Sequence, residues 1–131
     1  MIVDFVPNHV SRDYGAVAPV PGHPVLGKDD DKSVHWNENN DFFYYPGQSL
    51  VLPTQTPDGM KPYEEFPAMA TGNNCYSPNP GINDWYETVK INYGDTYTST
   101  WEKMYDIVDF WAGKGVDGFR CDMVELVPTG F

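Results

Sequence analysis

Residues 115–128 read GVDGFRCDMVELVP, an apolar run that carries Arg120 and Asp122 among its hydrophobic residues. In an extended strand successive side chains alternate faces. Arg120 and Asp122 therefore point one way while Phe119, Cys121 and Met123 point the other. Charges are costly to bury unless paired, and a guanidinium beside a carboxylate favours the ionised acid. The pattern thus predicts a buried strand with Asp122 held deprotonated in a partly desolvated site. A fixed anion of this kind can serve as a nucleophile. A purely structural ion pair would leave the same trace, so a second segment has to decide between them.

That segment is residues 1–15, MIVDFVPNHVSRDYG, where the apolar run Ile2, Val3, Phe5, Val6 is interrupted by Asp4 and ends in Pro7, Asn8 and His9. The period of two puts Asp4, Val6 and Asn8 on one face, and Pro7 ends regular ladder pairing. Asn8 and His9 then lie at the C-terminal mouth of a strand, which is where function resides in parallel barrels. Between the two strands, TSTWEKMYDIVDFWAGKG at residues 98–115 reads as a helix. Ser99 and Glu102 have capping-box spacing, Trp101, Met104, Val108 and Trp111 repeat at helical intervals, and Gly113 and Gly115 stop the run. A strand, a long excursion, a helix and a second strand describe a βα unit and the next strand of a parallel sheet, with the Met and Trp stripe packed on that sheet.

DFVPNH and GVDGFRCDM together resemble the first and second signature segments of the α-amylase family, glycoside hydrolase family 13. Their order and the long insertion between them also match, as do NDWYETVKINYG and DIVDFWAGKGVDGFR before the second segment. The resemblance covers essentially the whole chain and implies an α/β fold, a partial (β/α)₈ TIM barrel with an inserted loop-rich domain B. Residues 1–9 would be the third barrel strand and the start of the catalytic loop. Residues 10–92 would be the domain B-like insertion, and 93–131 the third barrel helix and fourth strand with the nucleophile segment. Asp122 matches the catalytic nucleophile and Arg120 the arginine that orients it. His9 matches a histidine that binds sugar in the cleavage subsite, Asp4 a supporting aspartate, and Asn8 a structural asparagine that is a calcium ligand in many amylases. The implied chemistry is retaining hydrolysis of α-glycosidic bonds through a covalent glycosyl-enzyme.

Many α-amylases place a lysine and a histidine shortly after the nucleophile, where this chain has Glu125 and Leu126. Those positions serve leaving-group subsites and, through the histidine, calcium binding. The resemblance therefore implies no required cofactor and leaves calcium as an option through Asn8. A complete barrel takes about 250 residues, whereas this chain has 131. In the family the general acid comes from the fifth strand and a further aspartate from the seventh. The expectation is a glycosidase fragment that does not hydrolyse glycosides in isolation, with the rest of the barrel as a partner. Its unpaired strand edges and uncovered helix face would invite self-association.

The middle of the chain, from Gly15 to Gly81, is dense in Pro, Gly, Asn and Asp and has no sustained helical period, so turns and short strands are expected. It is also rich in aromatic residues, among them Trp36, Phe42, Phe43, Tyr44, Tyr45, Tyr63, Phe66 and Tyr76, followed by Trp85 and Tyr86. Most of these are expected to form a small core, since rings bury much area per residue. Tyr14, just beyond His9, is the candidate for stacking on glucose. Asp29, Asp30, Asp31, Glu38 and Asp41 offer the hard oxygen donors that calcium takes, without EF-hand spacing, and read as a solvated acidic turn. His23 and His35 read as surface residues.

With 8 basic against 19 acidic residues the net charge is −11, which argues against nucleic acid and anionic membranes as partners and suits a neutral α-glucan or maltooligosaccharide. No apolar run is long enough to span a bilayer and no signal peptide is evident. The start reads as truncated, so the compartment stays open. Cys75 and Cys121 lack a spacing motif and are expected to be free thiols. A non-catalytic glycan-binding module is the alternative that the aromatics suggest. A metal-dependent hydrolase on Asp4, His9 and Asp122 would need more ligands.

Overall fold

The computed structural model describes residues 1–16, 19–53 and 63–131. Residues 17–18 and 54–62 of the expected insertion lie outside it. Among the described residues the chain is a small mixed α/β structure with short strands and one α-helix. Strands β1 (Ile2–Phe5) and β6 (Gly118–Cys121) run parallel, with Asp4 opposite Arg120. The ladder continues past β6, where the Asp122 N–H donates to the Phe5 carbonyl at 3.0 Å. Among the described residues this pair has no third strand beside it. Ile2 is 71% exposed, and the segment expected to be a buried strand lies largely at the surface.

Helix α1 (Ser99–Gly113) lies between them in the chain. Its cap departs from the expected capping box. Thr98 is the N-cap and its side chain makes no capping bond, because its hydroxyl donates to the Tyr93 carbonyl at 3.3 Å. Ser99 already lies within the first turn, and Glu102 instead accepts from the Tyr97 hydroxyl. The apolar stripe is buried only near its start. Thr100 and Met104 are inaccessible and Trp101 is part-buried, whereas Trp111 is 43% exposed. Gly115, at φ +88°, turns the chain back toward β6 through a left-handed conformation that a side chain resists.

Met104 does not pack on a broad sheet. It joins Leu26, Phe42, Tyr44, Val89, Ile91 and Tyr93 in one hydrophobic core beneath the loop-rich segment, and burying a side chain of its size contributes about 1.5–3 kcal/mol. That segment is held by two antiparallel pairs. Strand β2 (His9–Ser11) pairs with β5 (Thr88–Lys90), setting His9 opposite Lys90, and β3 (Tyr44–Tyr45) pairs with β4 (Ala68–Met69). The β2–β5 pair draws together the two ends of the expected insertion.

The acidic cluster is not a uniformly solvated turn. Asp29, Asp31 and Glu38 are exposed, but Asp41 is fully buried and Asp30 partly so. Asp30 accepts from the backbone N–H groups of Asp41 and Phe42 and from the Tyr44 hydroxyl. Carboxylates in a loop-rich segment satisfy amides that no ladder can reach. His23 is half-buried as well, with Nδ1 2.9 Å from Asp106 of α1 and its ring edge-on to Phe110. No helix among the described residues is long and apolar enough to cross a membrane.

Candidate functional site

Strand β1 ends at Phe5 and the chain turns at Pro7 into β2, which lifts His9 to the mouth of the β1–β6 pair. Asp122 reaches the same place from the end of β6. Met123 follows with φ +56°, a left-handed conformation uncommon outside glycine, and its N–H donates to the Asp122 carboxylate at 3.0 Å. This sharp turn leads into a one-turn 3₁₀ helix, Val124–Leu126. His9 and Asp122 line one cleft of about 370 Å³, together with Trp85, Asp84, Thr88 and Met123. The His9 ring packs edge-on against Trp85, with centroids 5.5 Å apart.

Arg120 divides itself unequally. Its Nη1 donates to Asp4 at 3.1 Å, while Nη2 lies 3.9 Å from the Asp122 carboxylate; Arg120 and Asp4 are largely exposed and Asp122 is half-buried. The parallel register explains this, because Asp4 is the direct cross-strand neighbour of Arg120 and Asp122 lies one residue beyond β6. Arg120 is therefore held by Asp4 and lies within Coulombic reach of Asp122.

Asn8 is completely buried, and its amide is fully used. Nδ2 donates to the Gly72 carbonyl at 2.7 Å and to His9 Nδ1 at 3.1 Å, while Oδ1 accepts from the ammonium of Lys90. Lys90 is buried too, and its ammonium also donates to the Leu126 carbonyl at 2.9 Å. Burial pulls the Lys90 pKa down to about 8. Asn8 Oδ1, the oxygen that would face a calcium ion, is thus engaged by a cationic side chain, and a divalent ion beside it would meet like charge. Among the described residues no three His, Cys, Asp or Glu side chains gather so as to hold a metal.

Tyr14 does not reach this cleft. It opens a short 3₁₀ turn, packs against the core edge-on to Phe42, and its hydroxyl accepts from the Leu26 N–H. The aromatic ring that meets His9 is Trp85. Sequence reading missed Lys90, whose apolar neighbours in TVKINY hide a single buried cation, and Gly72. A Cβ on Gly72 would lie 2.8 Å from His9 Cβ and 2.7 Å from Thr88 Oγ1, so only glycine fits behind the His9 ring.

No protein-family model matches the chain, and no solved structure matches it. Over 68 residues, 52% of its length, the chain is 31% identical to the alpha-1,4-glucan:maltose-1-phosphate maltosyltransferase of Corynebacterium glutamicum. The matched part is 10% of that protein, so the chain spans about a tenth of the relative's length. The similarity supports an amylase-family relationship.

The electrostatics of the His9–Asp122 cleft can be measured directly. Burial first, and then the charge of Lys90, pull the His9 pKa below its usual value, while the Asp122 carboxylate pulls it up. His9 is expected to titrate below 6.5 and to be neutral at pH 7. Asp122→Asn removes the one upward influence and should lower the midpoint further in a proton–nitrogen NMR titration. An unchanged or raised midpoint in that variant would mean that Asp122 does not face the imidazole.

Proposed function

We propose that this chain carries part of the reaction centre of a retaining, α-glucan-active glycosidase or transglycosylase. The observation that supports it best is the shared cleft of His9 and Asp122, with Arg120 anchored on Asp4 beside it. In this reading β1 and β6 are the third and fourth strands of a (β/α)₈ barrel, and the loop-rich segment is its domain B. The Asp122 carboxylate attacks the anomeric carbon as the glycosidic oxygen leaves, and water or a sugar hydroxyl later releases the glycosyl group from Asp122. Arg120 places its positive charge beside Asp122, and His9 donates a hydrogen bond to a sugar hydroxyl in the cleavage subsite.

The leaving oxygen needs a proton from a second carboxylic acid, set about 5–5.5 Å from the nucleophile in retaining enzymes. Asp84 shares the cleft but does not suit that role. Hydrogen bonds from the Asn73 amide and the Gly81 N–H hold its pKa below the usual carboxylate range, so it stays ionised at neutral pH. In the amylase family the acid comes from another strand.

Isothermal titration of the 131-residue chain with maltoheptaose, run beside a reducing-sugar assay on starch, tests this reading. Binding without turnover is expected, and His9→Ala and Asp122→Ala should each weaken binding by tenfold or more. Steady sugar release that Asp122→Asn abolishes would refute the missing acid. Affinity indifferent to both substitutions would favour a glycan-binding module. That second reading draws on a separate groove of about 300 Å³ where Trp36 and Tyr76 stand half-exposed.

A further inference from the structure

Lys90 is a buried charged side chain beside the cleft whose single ammonium meets two uncharged oxygens from separate segments. One is the Asn8 amide oxygen at the end of the first signature segment. The other is the Leu126 carbonyl, four residues beyond Asp122. An amide oxygen and a backbone carbonyl are the kind of neutral hard donors that calcium takes, yet among the described residues no three His, Cys, Asp or Glu side chains gather to complete a metal site. An ammonium group needs fewer ligands and has three protons to give.

We propose that Lys90 acts as a built-in cation in place of calcium, joining Asn8 to the turn behind Asp122, and that through Asn8 it sets the tautomer of His9. The inference rests on the proposed glycosidase reading for its purpose, though not for its geometry. An ammonium can only donate, so the Asn8 carbonyl oxygen must face Lys90 and the amide nitrogen must face the other way. That nitrogen finds the Gly72 carbonyl, which can only accept, and His9 Nδ1. Since the Asn8 amide nitrogen is itself only a donor, Nδ1 must be the unprotonated nitrogen of neutral His9. The proton therefore sits on Nε2, the ring nitrogen left free to donate to a ligand.

Three contacts make the arrangement rigid. Lys90 faces His9 across the β2–β5 pair, and next to it the Ile91 N–H donates to the Asn8 carbonyl at 3.1 Å, which fixes the strand that carries the ring. Gly72 leaves no room for a side chain behind His9. On the far side, the bond to Leu126 ties down the 3₁₀ turn that begins immediately after Met123. Lys90 is thus a positioning residue for both His9 and Asp122 and touches no substrate in this role.

The experiment is a long-range proton–nitrogen NMR spectrum of the uniformly labelled chain at neutral pH, with excess calcium and with EDTA. The wild type is expected to show the Nε2–H tautomer of His9 and Asn8 side-chain amide signals that calcium does not move. An Nδ1–H tautomer, or Asn8 signals that shift and saturate with calcium, would overturn the proposal. In Lys90→Met the Asn8 amide loses the ammonium that holds its oxygen and only the Gly72 carbonyl still orients it, so an Nδ1–H population should appear and maltoheptaose affinity should fall by about tenfold. A folded Lys90→Met that keeps a pure Nε2–H tautomer would also overturn it. If that variant does not fold, the wild-type spectrum alone decides. Neither the tautomer nor the calcium measurement requires sugar, so the clamp can fail while glucan binding stands, and the reverse.

Discussion

Asp41→Ala is expected to remove about 3–5 kcal/mol of folding stability, the usual cost of leaving one half of a buried ion pair unpartnered. Asp41 has no solvent exposure and accepts from three groups, one in the loop-rich segment and two on α1. These are the Gly27 N–H at 2.7 Å, the Thr100 hydroxyl at 2.7 Å and the Lys103 ammonium at 2.5 Å. Its own carbonyl accepts from the Asn92 N–H at 2.7 Å. One carboxylate therefore joins the loop-rich segment to the first turns of α1, and alanine strands a nearly buried ammonium, a hydroxyl and an amide together. Small domains are stable by about 5–15 kcal/mol, so this single change should bring the chain close to unfolding. Urea denaturation is the measurement, with Glu38→Ala as the exposed control expected to stay within about 0.5 kcal/mol of wild type. A loss for Asp41→Ala no larger than that of the control would remove the buried pair from the account.

Arg12→Ala should act on a similar scale, about 3–5 kcal/mol, through the opposite wall of the insertion. The Arg12 side chain is 1% exposed and its ion-pair partner Glu65 only 11%. Nε donates to the Tyr86 carbonyl at 2.6 Å, Nη2 to the Met69 carbonyl at 3.2 Å, and Nη1 to Glu65. Glu65 Oε1 in turn accepts from the Met69 N–H at 2.6 Å. The guanidinium fork thus holds β4 and the segment before β5 to the residue that follows β2. Arg12→Met, Glu65→Leu and their combination form a double-mutant cycle with an expected coupling of roughly 0.5–3 kcal/mol. Strict additivity would show that the two charges do not depend on each other. Because Tyr86 belongs to the wall of the His9–Asp122 cleft, Arg12→Met should also weaken maltoheptaose binding where it still folds.

The site and the stabilising network meet at β5. Lys90 faces the cleft loops from one end of that strand, and Arg12 holds the Tyr86 carbonyl just before its other end. A loop-rich segment with few ladder bonds depends on such side-chain donors. Its backbone polar groups must otherwise be left unpaired or face water, and in the interior an unpaired group is costly.

Sequence by itself determined the elements whose signal is local. Period-two alternation marks Ile2–Phe5 and Gly118–Cys121, and the apolar repeat with Gly113 and Gly115 marks α1. The residue types at positions 4, 8, 9, 120 and 122 could also be read directly, because a charge inside an apolar strand is conspicuous whatever lies around it. Tertiary structure alone decided which partner each of these residues takes. The parallel register gives Arg120 to Asp4 before Asp122, and the β2–β5 pairing brings Lys90 to Asn8 across 82 positions of chain. The same holds for the acidic run, where Asp41 and Asp31 look alike in sequence but one is buried under α1 and the other is exposed. Ring stacking followed the same rule, with Tyr14 drawn into the core and Trp85 set against His9. The physical reason is that hydrogen bonds and ion pairs reach only a few ångströms, so their partners are chosen by how distant segments pack, which no local pattern encodes.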